Sequence, residues 1–309
     1  MVSSPFHGFN IIYCSLFILA FCLCVPLTTQ ALREFWAKEW ECDDTRGTYT
    51  SNSTFSSNLG IAFSNLTALS SSHIFSNVTV GSDDDKANKV YALYDCRNDI
   101  PLDKCHGCIE DAVNSTLDIC YKEPKEAVII YEECMLRYAN RMIFSTMELT
   151  PNYTNCALVY FINRGIKGDI KSNLESLIDE AITESSSSVY FAIKNGTEIV
   201  DRDFYFLVQC TPDLSKVQCK ECLTDALNFT VESCASDNRL WGQINGPSCQ
   251  MRYDVNPFFN VSSNLISPSH SPPLNDQDIE ISGQPSLISI PKLSLCLFII
   301  LMSLLYVMQ

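Results

Sequence analysis

The sequence predicts an α+β fold of two tandem domains, each an antiparallel sheet packed against two helices and held by three disulfides. Three observations carry that prediction. A cysteine triplet spaced C-x8-C-x2-C occurs twice, as Cys96, Cys105 and Cys108 and again as Cys210, Cys219 and Cys222, at a fixed offset of 114 residues. Further cysteines repeat with it: Cys42 as Cys156 and Cys120 as Cys234 at 114, and Cys134 as Cys249 at 115. Apolar stripes at helical spacing and short β-rich runs follow one another in the same order in both copies.

Six cysteines per copy make an even set, which reads as three bridges whose pairing the count leaves open. Domains of roughly 100 residues bury a limited core, and disulfides commonly supply what the core lacks. The cysteines therefore imply an oxidising compartment. Residues 1–31 read as a secretory signal, an apolar run over 11–25 closed by Pro26, with Thr29 and Ala31 ahead of a cut before Leu32. The two domains then fill 32–148 and 149–261, and 262–292 is a Ser/Pro-rich stretch read as a disordered stalk. Residues 293–309 form a hydrophobic tail. Small residues at Ser282 and Gly283, a spacer and this tail match a lipid-anchor signal, with a short membrane span as the alternative and full secretion third.

In chain order, the first domain opens at Trp40-Glu41-Cys42. Phe55, Leu59, Ala62, Phe63, Leu66 and Leu69 form an amphipathic helical stripe. Residues 70–85 should hold a turn and an edge strand, and 90–95 a strand leading into Cys96. A second helix is expected from near Cys105, since Cys108, Ile109, Ala112, Val113, Leu117 and Cys120 share one face with it. Cys222, Leu223, Ala226, Leu227, Val231 and Cys234 stand at the same offsets from Cys219. Strands follow at 127–133 and 135–144. In the second copy the first helix carries Ile166, Ile170, Leu174, Leu177, Ile178, Ala181 and Ile182, and strands are expected at 204–209, 239–244 and 250–259. The short distance from Cys134 to Cys156 predicts domains packed directly on each other as a rigid tandem.

The duplicated triplet comes with characteristic flanking words: YTSNSTFSSNL after Cys42, ECMLRYANRMIFS at Cys134, LVQCTPDLS at Cys210 and GPSCQMRYDVNPFF at Cys249. Over residues 36–259 the chain resembles the plant ginkbilobin-type cysteine-rich repeat. That tandem is found in cysteine-rich repeat secretory proteins, plasmodesmata-located proteins and the outer part of cysteine-rich receptor-like kinases. The resemblance implies a five-stranded antiparallel sheet and two helices per domain. It also implies the pairs Cys42 with Cys120, Cys96 with Cys105, Cys108 with Cys134, Cys156 with Cys234, Cys210 with Cys219, and Cys222 with Cys249. The ginkbilobin member binds mannose and is antifungal, with Asn directly after its first cysteine; here that position is Asp43 in one copy and Ala157 in the other.

Chemistry is read against catalysis. Cys105-His106-Gly107-Cys108 has redox spacing, but an oxidising compartment favours structural bridges over redox or zinc use. His73 and His106 are the histidines of the domains, and neither recurs in the other copy. No cofactor, metal or enzymatic activity is expected. Arg137-Tyr138 recurs as Arg252-Tyr253, read as an arginine fixing a carboxylate beside a core tyrosine. A formal net charge of −15 excludes nucleic acid. Eight sequons, at Asn52, Asn65, Asn77, Asn114, Asn152, Asn195, Asn228 and Asn260, point to a heavily glycosylated secretory protein. The expected function is non-catalytic recognition of an extracellular protein in signalling, defence or cell-cell contact. The alternative is lectin-like binding of mannose or a cell-wall glycan. Membrane attachment would run through the C-terminal tail, homo- or hetero-association is open, and the expected location is the extracellular face of the plasma membrane, plasmodesmata included, or the apoplast.

Overall fold

A computed structural model describes residues 39–161, 165–183, 189–259 and 279–281 of the chain. The first domain runs β1 (Glu39–Cys42), α1 (Thr54–Ser70), β2 (Phe75–Val80), β3 (Val90–Cys96), α2 (Leu102–Ile119), β4 (Ala127–Ile130) and β5 (Cys134–Ala139). The second runs β6 (Tyr153–Cys156), β7 (Val159–Phe161), α3 (Lys167–Thr183), β8 (Phe191–Ile199), β9 (Arg202–Cys210), α4 (Lys216–Ser233), β10 (Trp241–Asn245) and β11 (Cys249–Asp254). Each domain has a five-stranded antiparallel sheet, in the orders β1-β4-β5-β3-β2 and β6-β10-β11-β9-β8, which are the same topology.

Local chemistry starts and stops the helices. Ser53 caps α1 by accepting from the Ser56 amide, and Phe55, Leu59, Ala62, Phe63 and Leu66 then turn inward together. Ser215 and Gln218 close a reciprocal capping box at the start of α4. The helix expected from Cys105 begins three residues earlier, directly after Pro101. Its first turn is mostly exposed and carries no apolar stripe, so periodicity alone misses it. Leu117, expected on the buried face, is 60% exposed, while the adjacent Thr116 is buried.

The strand read at 127–133 stops at Ile130, where the chain turns and the Tyr131 amide donates to the Cys134 carbonyl at 2.8 Å. The strand read at 135–144 stops at Ala139 and the one at 250–259 at Asp254, whereas 204–209 extends to Arg202–Cys210 and 239–244 becomes Trp241–Asn245. A three-residue strand, β12 (Ile279–Ile281), pairs antiparallel with β7 inside the stretch read as a structureless stalk. Its Ile-Glu-Ile sequence has β-branched alternation.

Six disulfides join Cys42–Cys120, Cys96–Cys105, Cys108–Cys134, Cys156–Cys234, Cys210–Cys219 and Cys222–Cys249. In each domain they pin the second helix to the sheet at three places, and each such bridge contributes about 2–4 kcal/mol. Cores of helix and sheet residues fill the space between, with Phe55, Tyr94 and Tyr138 fully buried in the first and Phe204, Phe206 and Tyr253 in the second.

Strand alternation fixes what meets at the junction. Cys96 and Cys134 point to the helices, so Asp95 and Met135, one residue away, point to the helix-free face. Leu93, Val128, Ile130, Met135, Ala139 and Ile143 form an apolar cluster on that face. By the same alternation Gln209, Gln243, Asn245, Arg252 and Asp254 occupy the helix-free face of the second sheet. The two faces look at each other and the helices lie outside. Gln209 Nε2 donates to Asp95 Oδ2 and to the Cys96 carbonyl, both at 2.9 Å, while the Asn98 amide donates to Gln209 Oε1 at 3.0 Å. Arg252 Nη1 donates to Glu132 Oε1 at 2.6 Å, Arg97 Nη2 to the Phe258 carbonyl at 3.0 Å, and the Ser145 amide to Asp213 Oδ2 at 2.6 Å. Burial raises the Asp95 carboxyl well above its ordinary value, against the Gln209 hydrogen bond, and Asp213 adds to the rise.

Candidate recognition surface

A cleft of about 340 Å³ opens beside β1 and the segment that joins the domains, and charged side chains line it. Glu126, next to the start of β4, and Glu148, in the joining segment, hold Arg141 between them. Arg141 Nε donates to Glu126 Oε2 at 2.9 Å, Nη1 to Glu148 Oε1 at 2.7 Å and Nη2 to Glu148 Oε2 at 2.8 Å. Arg137, buried on β5, donates from Nη2 to Glu148 Oε2 at 2.7 Å. The two carboxylates raise the Arg141 guanidinium. Burial pushes Glu148 up, but Arg141 and Arg137 outweigh it and hold the carboxyl below its ordinary value. Arg46 sits at the mouth, 3.6 Å from Glu126.

Asp43 lines the same cleft, but its carboxylate is engaged locally. Oδ1 accepts from the Thr45 amide at 3.0 Å and from the Thr45 hydroxyl, and Oδ2 lies 3.3 Å from Arg46 Nε. The Thr45 hydrogen bonds, with help from Arg46, hold its carboxyl below the ordinary value. The equivalent Ala157 is buried. A sugar hydroxyl therefore meets no free carboxamide at this position in either domain.

Of the other sequence-predicted residues only Arg137 lines the cleft; the rest lie elsewhere. Cys105 and Cys108 are bonded outward to Cys96 and Cys134, so the C-x-x-C spacing does not close on itself. His106 Nδ1 lies 2.9 Å from Ser70 Oγ and its Nε2 3.5 Å from Glu110, while His73 Nδ1 sits 2.9 Å from Ser72 Oγ. Tyr138 and Tyr253 are core residues whose hydroxyls donate to the Pro124 and Arg239 carbonyls at 3.0 and 3.1 Å. Their neighbours Arg137 and Arg252 each take carboxylates, but the Glu132 that Arg252 takes belongs to the first domain.

Among the sequon asparagines, Asn52, Asn65, Asn77, Asn114, Asn195 and Asn228 are exposed and Asn152 is half-buried. Asn260, residues 1–31, Ser282, Gly283 and the tail lie outside the described residues. Among the described residues no helix is long and apolar enough to cross a membrane. Sequence reasoning missed the Glu126–Arg141–Glu148 cluster. Only Arg137 recurs in the second copy, and the place of Arg141 is taken there by Asn256, so the repeat gave no signal for it.

Comparison with known proteins places this architecture. The family described as salt stress response/antifungal matches residues 41–141 and 163–256. Cysteine-rich receptor-like protein kinase 25 of Arabidopsis thaliana is 35% identical over 246 residues, 74% of this chain and 34% of its own length. Cysteine-rich repeat secretory protein 1 of Arabidopsis thaliana is 34% identical over 266 residues, 82% of this chain and 70% of its own length. The tandem DUF26 ectodomain of the Arabidopsis thaliana cysteine-rich receptor-like protein PDLP5 superposes with a TM-score of 0.57 at 21% identity, covering 72% of this chain and 100% of that one. That of PDLP8 superposes at 0.54 and 24% identity, covering 71% and 97%. The chain spans about a third of the length of the receptor kinases it matches, and their catalytic domain is not covered. The chain belongs to the salt stress response/antifungal family, as a tandem module of the kind that forms the ectodomains of cysteine-rich receptor-like proteins.

Proposed function

We propose that the chain is a non-catalytic recognition module on the extracellular face of the plant cell, attached through its C-terminal tail, and that it takes a protein partner at the charged cleft beside β1. The placement of the sequons carries this reading. Asn52, Asn65, Asn114 and Asn228 lie on or next to the helix layers, and Asn77 and Asn195 lie on the edge strands β2 and β8. Sugars there cover the outer layers and one edge of each sheet, and leave the charged cleft beside β1, which no sequon asparagine lines, to a partner. That side presents Arg46 and Arg141 among Glu41, Asp43, Glu126 and Glu148, a mixed-charge surface suited to the side chains of another protein. The engaged Asp43 and the buried Ala157 weigh against a mannose-type site.

The test is binding of the chain, made in plant cells, to a panel of plant extracellular domains and in parallel to an array of plant and fungal wall glycans. Saturable binding to a protein, weakened at least about tenfold by Arg141→Glu, is the expected result. Saturable binding to an oligosaccharide with the protein panel blank overturns it in favour of a lectin. Release from the cell surface by a phospholipase that cuts glycolipid anchors is the expected behaviour of the tail; retention of all the protein points to a membrane span.

A further inference from the structure

Asn152 stands apart from the other described sequon asparagines because it is half-buried where they are exposed. It follows Pro151 in the segment entering β6, and it lines an open cleft of about 690 Å³ that spans the domain junction. Trp40 of β1 contributes one wall and Trp241 of β10 another, with Tyr153, Asn155 and Gln243 around them. Trp40 is 48% exposed, a large indole left open to solvent. Asn155 Nδ2 donates to the Glu39 carboxylate, so a first-domain acid and a second-domain amide already meet in the lining. Neither lysine nor arginine lines the cleft. Indole faces with carboxamides and a carboxylate, and with no cation, suit a neutral pyranose: its C–H face stacks on indole and its hydroxyls and acetamido group exchange hydrogen bonds with amides. The only sugar the chain could hold at this point without capturing one from solution is its own.

We propose that Asn152 carries an N-linked glycan whose proximal N-acetylglucosamine residues lie in this cleft against Trp40 and Trp241 and join the two domains. The linkage forms in the secretory pathway on the unfolded chain. Asn152 Nδ2 bonds to the anomeric carbon of a lipid-pyrophosphate-linked oligosaccharide, the bond from that carbon to the pyrophosphate oxygen breaks, the lipid pyrophosphate leaves and the amide gives up a proton. Half-burial in the folded state is therefore no barrier to attachment; folding then closes the junction around the sugar. The proposal is independent of the protein-partner reading, and it leaves the charged cleft as the free part of the β1 and β6 side.

The experiment uses the full chain expressed in plant cells. Peptide mass analysis is expected to show Asn152 occupied. Asn152→Gln and Thr154→Ala, which abolish the sequon through different residues, should each lower the melting midpoint by about 2–4 °C, the scale of one aromatic contact in a protein of this size. Thr154→Ser, which keeps the sequon, and Asn65→Gln, which removes an exposed one, should leave the midpoint in place. Trp40→Ala should lower the midpoint of the glycosylated chain by a similar amount and do nothing further once Asn152→Gln is present. An unmodified Asn152, or additive effects of Trp40→Ala and Asn152→Gln, overturns the proposal.

Discussion

Leu117 and Val231 occupy the same place near the end of the second helix of their domains, 114 residues apart, yet one is 60% exposed and the other 3%. In the second domain α4 runs into a short helical turn at Ala235–Asp237, which packs back on the helix and covers Val231. Nothing equivalent follows α2, so Leu117 and the neighbouring Tyr121 face outward. A similar contrast holds at β4 and β10. Ala127 pairs with Cys42 on one side and Tyr138 on the other, and Gly242 pairs with Cys156 and Tyr253 at the corresponding register. The bridges and strand order are held constant between the domains, while the fill around them differs, so each domain has its own packing solution on one covalent frame.

Exchanging those fillings breaks the comparison most sharply at Gly242. A Cβ there would stand 2.6 Å from Tyr253 Cε1 and 2.7 Å from Cys234 Cβ. Gly242→Ala should therefore cost about 1–3 kcal/mol in chemical denaturation, although the first domain carries that methyl at Ala127 without conflict. An unchanged midpoint would mean that the second domain relaxes to the packing of the first. Val231→Ala removes buried methyls and should cost about 1.5 kcal/mol, whereas Leu117→Ala should stay within about 0.5 kcal/mol; equal costs would erase the distinction between the helix ends.

The smallest effect is expected at the junction. The Asp95 carboxyl is raised by burial, so its contribution is full below its unfolded value near about 4 and is lost as the pH climbs through the raised folded value. Asp95→Asn keeps an oxygen that accepts from Gln209. It should change stability by less than about 0.5 kcal/mol at low pH, while flattening the decline towards neutral pH that a thermal melt series of the parent chain is expected to show. A decline of the same slope in the variant would locate the titrating group elsewhere.

These contrasts also mark what was legible in the sequence. A disulfide ties residues at fixed separations, so the cysteine spacing exposed the repeat, the bridge-bearing helix and the strands entering Cys96 and Cys210. Strands paired on one side only were harder to see. Glu39–Cys42 and Tyr153–Cys156 are short and mostly polar, and Phe191–Ile199 is broken by a bulge between Lys194 and Thr197. The apolar face that Leu93, Val128, Ile130 and Met135 turn to the junction merges in sequence with the residues turned to the helices, giving continuous apolar runs in place of alternation. The charged cleft depends on Glu126 and Glu148 arriving at Arg141 from either side of β5, a meeting that only the folded chain displays. Asn152 was visible as a sequon, but its half-burial beside two indoles was not.

Asp95 and Gln209 hold the same repeat position, 114 residues apart, and they touch each other. In a symmetric pair of identical domains a residue on the twofold axis meets its own copy, so an acid there would face an acid. Duplication and fusion into one polypeptide lift that restriction, because the two copies are free to diverge into an acceptor and a donor. The pairing thereby acquires a direction: a chain built from two first domains would bring Asp95 against another Asp95, and one built from two second domains would lose the carboxylate that Gln209 Nε2 addresses. The junction thus encodes which domain stands on which side of the axis.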